Sequence, residues 1–145
     1  REAVRIMSPL YAELNRWLRV PYQWGENDCI TLCADWVLRM RGVDPAADLR
    51  LTYGTMGECQ RVTGFFTDPM PVIAPRMDRA GLSRTDAPVP GDVGLLLLPD
   101  GRGAARPYGG LCLGKQWASK MIEGGVLSNV PFKILAAWSV GYENP

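Results

Sequence analysis

The sequence predicts an α+β fold, N-terminal helices packed on a small antiparallel sheet, and three observations carry that expectation. Apolar residues recur at helical spacing early in the chain, at Leu10, Leu14, Trp17 and Leu18 and again at Ile30, Cys33, Val37 and Met40. Later, short apolar runs alternate with Gly- and Pro-rich connections, as strands joined by hairpin loops do. The proline-rich segment Ala87 to Gly91 separates the two regimes. Helices first and strands after is the order of an α+β domain. At 145 residues and 47% hydrophobic content the chain forms one domain, 1–145, with a helical part over about 8–80 and a β part over about 91–141.

Ser8-Pro9 supplies an N-cap and a proline at the first helical position, and Pro21 ends the first helix. The second runs from Cys29 to Arg41, with Trp36 beside its apolar stripe and Gly42 closing it. Thr55-Met56-Gly57-Glu58 fits a capping box that opens a short helix to Thr63. A further helix is expected over Pro71 to Arg79, made irregular by Pro75. Strands are expected over Asp92 to Leu98, Gly110 to Leu113, Met121 to Glu123 and Ile134 to Val140, with Pro99 to Pro107 and Glu123 to Pro131 as loops. Asp92 reads as a turn residue before its strand.

Sixteen basic against fifteen acidic residues give a net charge of +1, and the basic residues are scattered, so nucleic acid is not an expected partner. The longest aliphatic run, Val93 to Leu98 interrupted by Gly94, is too short to cross a bilayer, so no membrane span is expected. The sequence opens on Arg1-Glu2-Ala3 without an initiator methionine, which leaves open a removed or omitted upstream segment. The four cysteines, at 29, 33, 59 and 112, lack the dense spacing of a disulfide scaffold. They read as reduced thiols, with Cys33, Cys59 and Cys112 as small buried hydrophobes. No Cys-x-x-Cys pair and no histidine are present, so neither a metal nor a cofactor is expected.

Cys29 draws attention because it opens a helix, where unpaired amides and the positive end of the helix dipole favour thiolate. A cysteine hydrolase also needs a group that removes the thiol proton and returns it to the leaving group, and imidazole does this near neutral pH. The chain contains no histidine. Asp28 is read as the N-cap of this helix. Trp24 either walls a groove beside Cys29 or anchors the loop before it. Trp17 and Trp36 are expected between helices, and Trp117 and Trp138 in the core or at a protein interface.

Four stretches together resemble the NlpC/P60 superfamily of papain-like cysteine peptidases: Pro21-Tyr22-Gln23-Trp24-Gly25-Glu26-Asn27-Asp28-Cys29, Ala34-Asp35-Trp36-Val37, Pro90-Gly91-Asp92-Val93, and Gly110-Leu111-Cys112-Leu113-Gly114. Among its members, the chain is most similar to the tail-assembly and tail-tip proteins of phages, prophages and gene transfer agents, over about Pro9 to Gly141. The resemblance implies a papain-like fold with Cys29 at the nucleophile position. Active members carry a His-x-Gly-[Ile/Val]-x-x-Gly strand. Here the matching stretch, Tyr108-Gly109-Gly110-Leu111-Cys112-Leu113-Gly114, puts Tyr108 at the histidine position, and a phenol titrating near pH 10 cannot replace imidazole. The family's third, polar position falls among Gln116, Lys120 and Glu123. Asp28, Lys120 and Glu123 are the conceivable substitute bases.

The resemblance therefore implies a virion protein, a structural component of a phage or phage-like tail tip or baseplate, resident in host cytoplasm during assembly, with Cys29 vestigial and other tail proteins as partners. The alternative is an active peptidase or amidase that cuts peptidoglycan stem peptides during penetration of the cell. A third reading is a module that holds a bacterial cell-wall peptide without cutting it. Tyr11, Tyr53, Phe65, Phe66 and Tyr142 are candidate contact residues, because aromatics supply large area at low entropy cost. The Pro99–Pro107 loop and the Tyr142–Pro145 tail are candidate partner-ordered segments.

Overall fold

In a computed structural model, residues 8–99 and 102–143 are described. Arg1-Glu2-Ala3, the Asp100-Gly101 part of the expected loop and the last two residues of the expected C-terminal segment lie outside them. Helices α1 (Pro9–Arg19), α2 (Cys29–Arg41), α3 (Met56–Thr63) and α4 (Met70–Arg79) precede strands β1 (Ser83–Arg84), β2 (Val93–Pro99), β3 (Ala105–Cys112), β4 (Trp117–Lys120), β5 (Val126–Asn129) and β6 (Lys133–Ser139). The strands form one antiparallel sheet in the order β1-β6-β2-β3-β4-β5, so the chain is α+β.

Local chemistry sets the helix limits. Ser8 Oγ accepts the Tyr11 amide, and Pro9 occupies the first turn of α1. Gly42 ends α2 in the left-handed region at φ 76°, where a side chain would be strained. Of the expected capping box at α3, the bond from the Glu58 amide to Thr55 Oγ1 forms at 3.1 Å. Pro75 lies inside α4, which nevertheless runs on to Arg79.

The sheet departs from expectation in three places. The strand expected over Met121–Glu123 lies instead over Trp117–Lys120. Residues 121–124 form the turn that follows: Met121 N–H donates to Gly125 O, Gly124 N–H donates to Met121 O, and Gly124 supplies a φ of 100°. The connection expected over Glu123–Pro131 contains β5, whose polar half, Ser128-Asn129, hides its pairing with β4. The strand expected from Gly110 starts already at Ala105 and takes in Pro107, which pairs with Leu97.

All four tryptophans expected to pack inside are buried. Trp17 Nε1 donates to Glu13 at 3.2 Å and Trp36 Nε1 to Gly91 O at 2.8 Å, so two of these large side chains also satisfy their polar atom. Of the five candidate contact aromatics, some of which had to be core, Tyr53 and Phe65 are the core residues. Of that set Tyr11 is exposed, and Phe66 and Tyr142 are half-buried.

Two polar devices fix α1. A chain of ion pairs joins it to α2: Arg39 to Glu13 (3.0 Å), Glu13 to Arg16 (2.8 Å), Arg16 to Asp35 (2.9 Å), Asp35 to Arg50 (2.8 Å) and Arg50 to Asp44 (2.7 Å). At the C-terminal end of α1, fully buried Lys120 donates to Trp17 O (2.5 Å), Val20 O (2.7 Å) and Gly124 O. A cation over carbonyls that a helix end leaves unpaired is favoured twice, by hydrogen bonding and by the dipole. Replacing Lys120 by Met leaves these carbonyls unpaired and is expected to lower stability by about 2–4 kcal/mol, measured as a shift in the urea unfolding midpoint at unchanged slope.

Candidate functional site

The site is the N-terminus of α2 and the strand beneath it. Gly25, at φ 78°, lets the loop before the helix turn so tightly that a Cβ there would meet Tyr53 O at 2.2 Å. Gln23 and Asn27 bridge across this turn. Trp24 packs edge-on against Tyr22 (5.0 Å between centroids) and Phe66 (5.9 Å), so it pins the loop to the segment after α3. This is the anchoring role.

Asp28 organises the junction. Its Oδ1 accepts the amides of Ile30 (2.9 Å) and Thr31 (2.8 Å), while Oδ2 accepts the Gly25 amide (2.8 Å) and the Tyr53 hydroxyl (2.9 Å). Thr31 Oγ1 accepts the Asp28 amide at 2.9 Å, which closes a reciprocal capping box. A buried carboxylate that accepts from these four donors, with the Thr31 hydroxyl also 3.2 Å from Oδ1, is held in place.

Cys29 is the first residue of α2 and is buried at 5% exposure. The backbone amides of Gly109 in β3 and of Cys29 itself favour the sulfur anion, but burial outweighs them. The expectation of a thiolate-favouring environment is overturned. Burial pushes the Cys29 thiol up, and the adjacent Asp28 carboxylate pushes it further. The same carboxylate occupies the Ile30 and Thr31 amides of the first turn. Burial likewise raises the Tyr22 phenol, with Cys29 and Asp28 adding to it, so this hydroxyl stays protonated.

Opposite Cys29 the sheet presents a glycine. A Cβ on Gly109 would lie 2.6 Å from Cys29 O and 3.4 Å from Cys33 Sγ, so α2 rests directly on the β3 backbone. Alternation along β3 then sends Tyr108 to the other face, shared with its partner Leu96. That face is confirmed at the next residue, where a Cβ on Gly110 would strike Leu96 Cδ1 at 2.3 Å. The structure therefore does not bring Tyr108 and Cys29 together.

The other expected groups are committed or remote. Lys120 is bound to three carbonyls, and burial lowers its pKa without placing it beside the sulfur. Glu123 is exposed in the turn after β4. Gln116, also exposed, accepts the Ser128 hydroxyl at 2.8 Å. Asp92 does more than begin a strand: its carboxylate accepts the amides of Val89 (2.9 Å) and Val140 (3.0 Å), which ties the end of the sheet to the Pro90-Gly91 turn. Among the described residues no group of three or more His, Cys, Asp or Glu could hold a metal ion. All four cysteines are free thiols, as the sequence implied.

Sequence reasoning missed Gly109, Tyr22 and Tyr53 as parts of this site. The Gly109-Gly110 pair inside an apolar run was the available signal, since adjacent glycines in a strand mark close approach of backbone. Nothing local couples Tyr53 to Asp28 across 25 positions.

Two outcomes follow from this geometry. Asp28→Ala removes a helix cap and strands the Gly25 amide and Tyr53 hydroxyl in the interior, and is expected to cost about 3 kcal/mol in chemical denaturation. With its pKa raised, Cys29 stays protonated through the neutral range. Its alkylation by iodoacetamide at pH 8, followed by peptide mapping, is expected to be at least about tenfold slower than that of an exposed thiol, and to match it once the protein is unfolded. Rapid labelling of native Cys29 at pH 7 would contradict this.

No curated protein and no solved structure matches the chain. Residues 5–140 match the model of one family, described as a domain of unknown function, DUF6950, and the chain belongs to that family.

Proposed function

We propose that the chain is a papain-like domain of NlpC/P60 type that has lost catalysis and acts as a structural component of a phage or phage-like tail tip or baseplate, with other tail proteins as its partners. The observation that carries this reading is the setting of Cys29: it stands at a helix N-terminus against the sheet, as a nucleophile would, but is buried, with its pKa raised by that burial, and packed on the strand at Gly109 in a chain without histidine. A missing general base typically costs a factor of about a hundred to ten thousand in rate. Burial adds a further barrier, because a scissile carbonyl must come within bonding distance of the sulfur.

The architecture of the site supports the fold half of the proposal. A helix opening on cysteine packs on the backbone of a glycine-bearing strand, and a Pro-Gly-Asp turn leads into the central strand of an antiparallel sheet. Of the groups that could have replaced the imidazole, Asp28 and Lys120 serve the framework instead, and Glu123 is exposed in the turn after β4.

The experiment has two arms. Incubation with a library of peptidoglycan stem peptides at neutral pH is expected to give no product above that of Cys29→Ala. Mass spectrometry of purified tails from the encoding phage or prophage is expected to find the chain as a stoichiometric component. Turnover abolished by Cys29→Ala would replace this reading with a peptidoglycan hydrolase, and absence from purified tails would remove the structural role.

A further inference from the structure

The two edges of the sheet are finished differently. At one end β1 is only two residues long, and Arg84 lies over the Trp138 ring at 5.9 Å. Short strands and charges are devices that discourage edge-to-edge pairing. At the other end β5 has a single neighbour among the described residues, β4, and its residues 126–129 carry no charge, proline or bulge.

The hairpin bonds give the direction of each β5 peptide group. Met121 and Gly125 form a hydrogen-bonded pair, and such pairs alternate along an antiparallel ladder. Leu127 and Asn129 therefore bond to Ser119 and Trp117, while the N–H and C=O groups of Val126 and Ser128 point outward. Val130, next in the same alternation, is 60% exposed, and its amide is met by its own Asn129 Oδ1 at 2.8 Å. The outward sequence is thus Val126, Ser128, Val130, which reads the same in both directions.

We propose that this edge pairs with β5 of a second copy of the chain, antiparallel about a two-fold axis at Ser128. In that register Ser128 meets Ser128, Val126 meets Val130 at each end, and every outward N–H finds a C=O once the Asn129 side chain turns from the Val130 amide. Valine pairs opposite each other are favourable in antiparallel ladders, and no like charges are brought together. A self-complementary patch of this kind closes as an isologous dimer.

The surface beside the edge fits the same occupant. Val126 and Ser128 line a groove with Tyr11, Leu14 and Leu18 of α1, and Tyr11 and Leu18 are more than half exposed. The valines of the second strand would fall against this apolar face, and the two α1 helices would approach on the same side of a continuous twelve-stranded sheet. The inference is independent of the tail-tip reading and of any chemistry at Cys29.

Because residue 128 lies on the axis, it meets itself, and that makes the test specific. Sedimentation equilibrium of the wild-type chain is expected to show a concentration-dependent dimer. Ser128→Asp and Ser128→Lys, each exposed on the sheet edge, are each expected to weaken it at least tenfold by setting like charges opposite each other. An equimolar mixture of the two is expected to restore dimer as the mixed species. Circular dichroism of each variant checks that the monomer remains folded. A wild-type chain that stays monomeric at high concentration, a dimer indifferent to both substitutions, or a mixture no tighter than either variant alone would each overturn the proposal, whether or not tail proteins bind this edge.

Discussion

The buried carboxylate of Asp28 is the interaction on which the rest of the structure turns. It joins three separate pieces of chain: the tight turn at Gly25, the first turn of α2 and the Tyr53 segment that precedes α3. A buried anion is tolerated only where donors replace the water it has lost, and these amides and hydroxyls do so here. The arrangement fixes where α2 begins. It thereby fixes where Cys29 stands and what electrostatic field the sulfur feels.

That field raises the pKa of a cysteine that stands at a helix N-terminus. The dipole of α2 is answered by Asp28, one residue before the sulfur, and burial disfavours any further charge. Packing acts beside electrostatics: Gly109, without a side chain, lets the first turn of α2 settle onto the backbone of β3.

Away from the site, charged side chains join the elements. The ion-pair chain from Arg39 to Asp44 laces α1, α2 and the segment after α2, and Lys120 clamps the end of α1 to the β4–β5 hairpin. Lys120 illustrates how a residue type misleads when read alone. In sequence it is a substitute base on a strand near the site; in the fold all three of its donors close the carbonyls of other elements.

What the sequence determined by itself was local and periodic. Ser8-Pro9, Asp28, Thr55 and Gly42 set helix limits through bonds that span only a few residues, and the spacing of Trp17, Trp36 and Val37 fixed which faces turn inward, because helix period and capping need no knowledge of the remaining chain. The α+β order and the reduced cysteines followed in the same way. Tertiary structure alone decided the features that depend on distant partners. It shifted the third strand from Met121–Glu123 to Trp117–Lys120, drew β5 out of an apparent loop by pairing, and sent Tyr108 to the face away from Cys29 while setting Gly109 against it. Strand register and face are settled by long-range hydrogen bonding and by which neighbour fits closest, and a one-residue difference in alternation reverses every side chain. Whether Cys29 faces a base was therefore written in the pairing of β3 rather than in any motif around the cysteine.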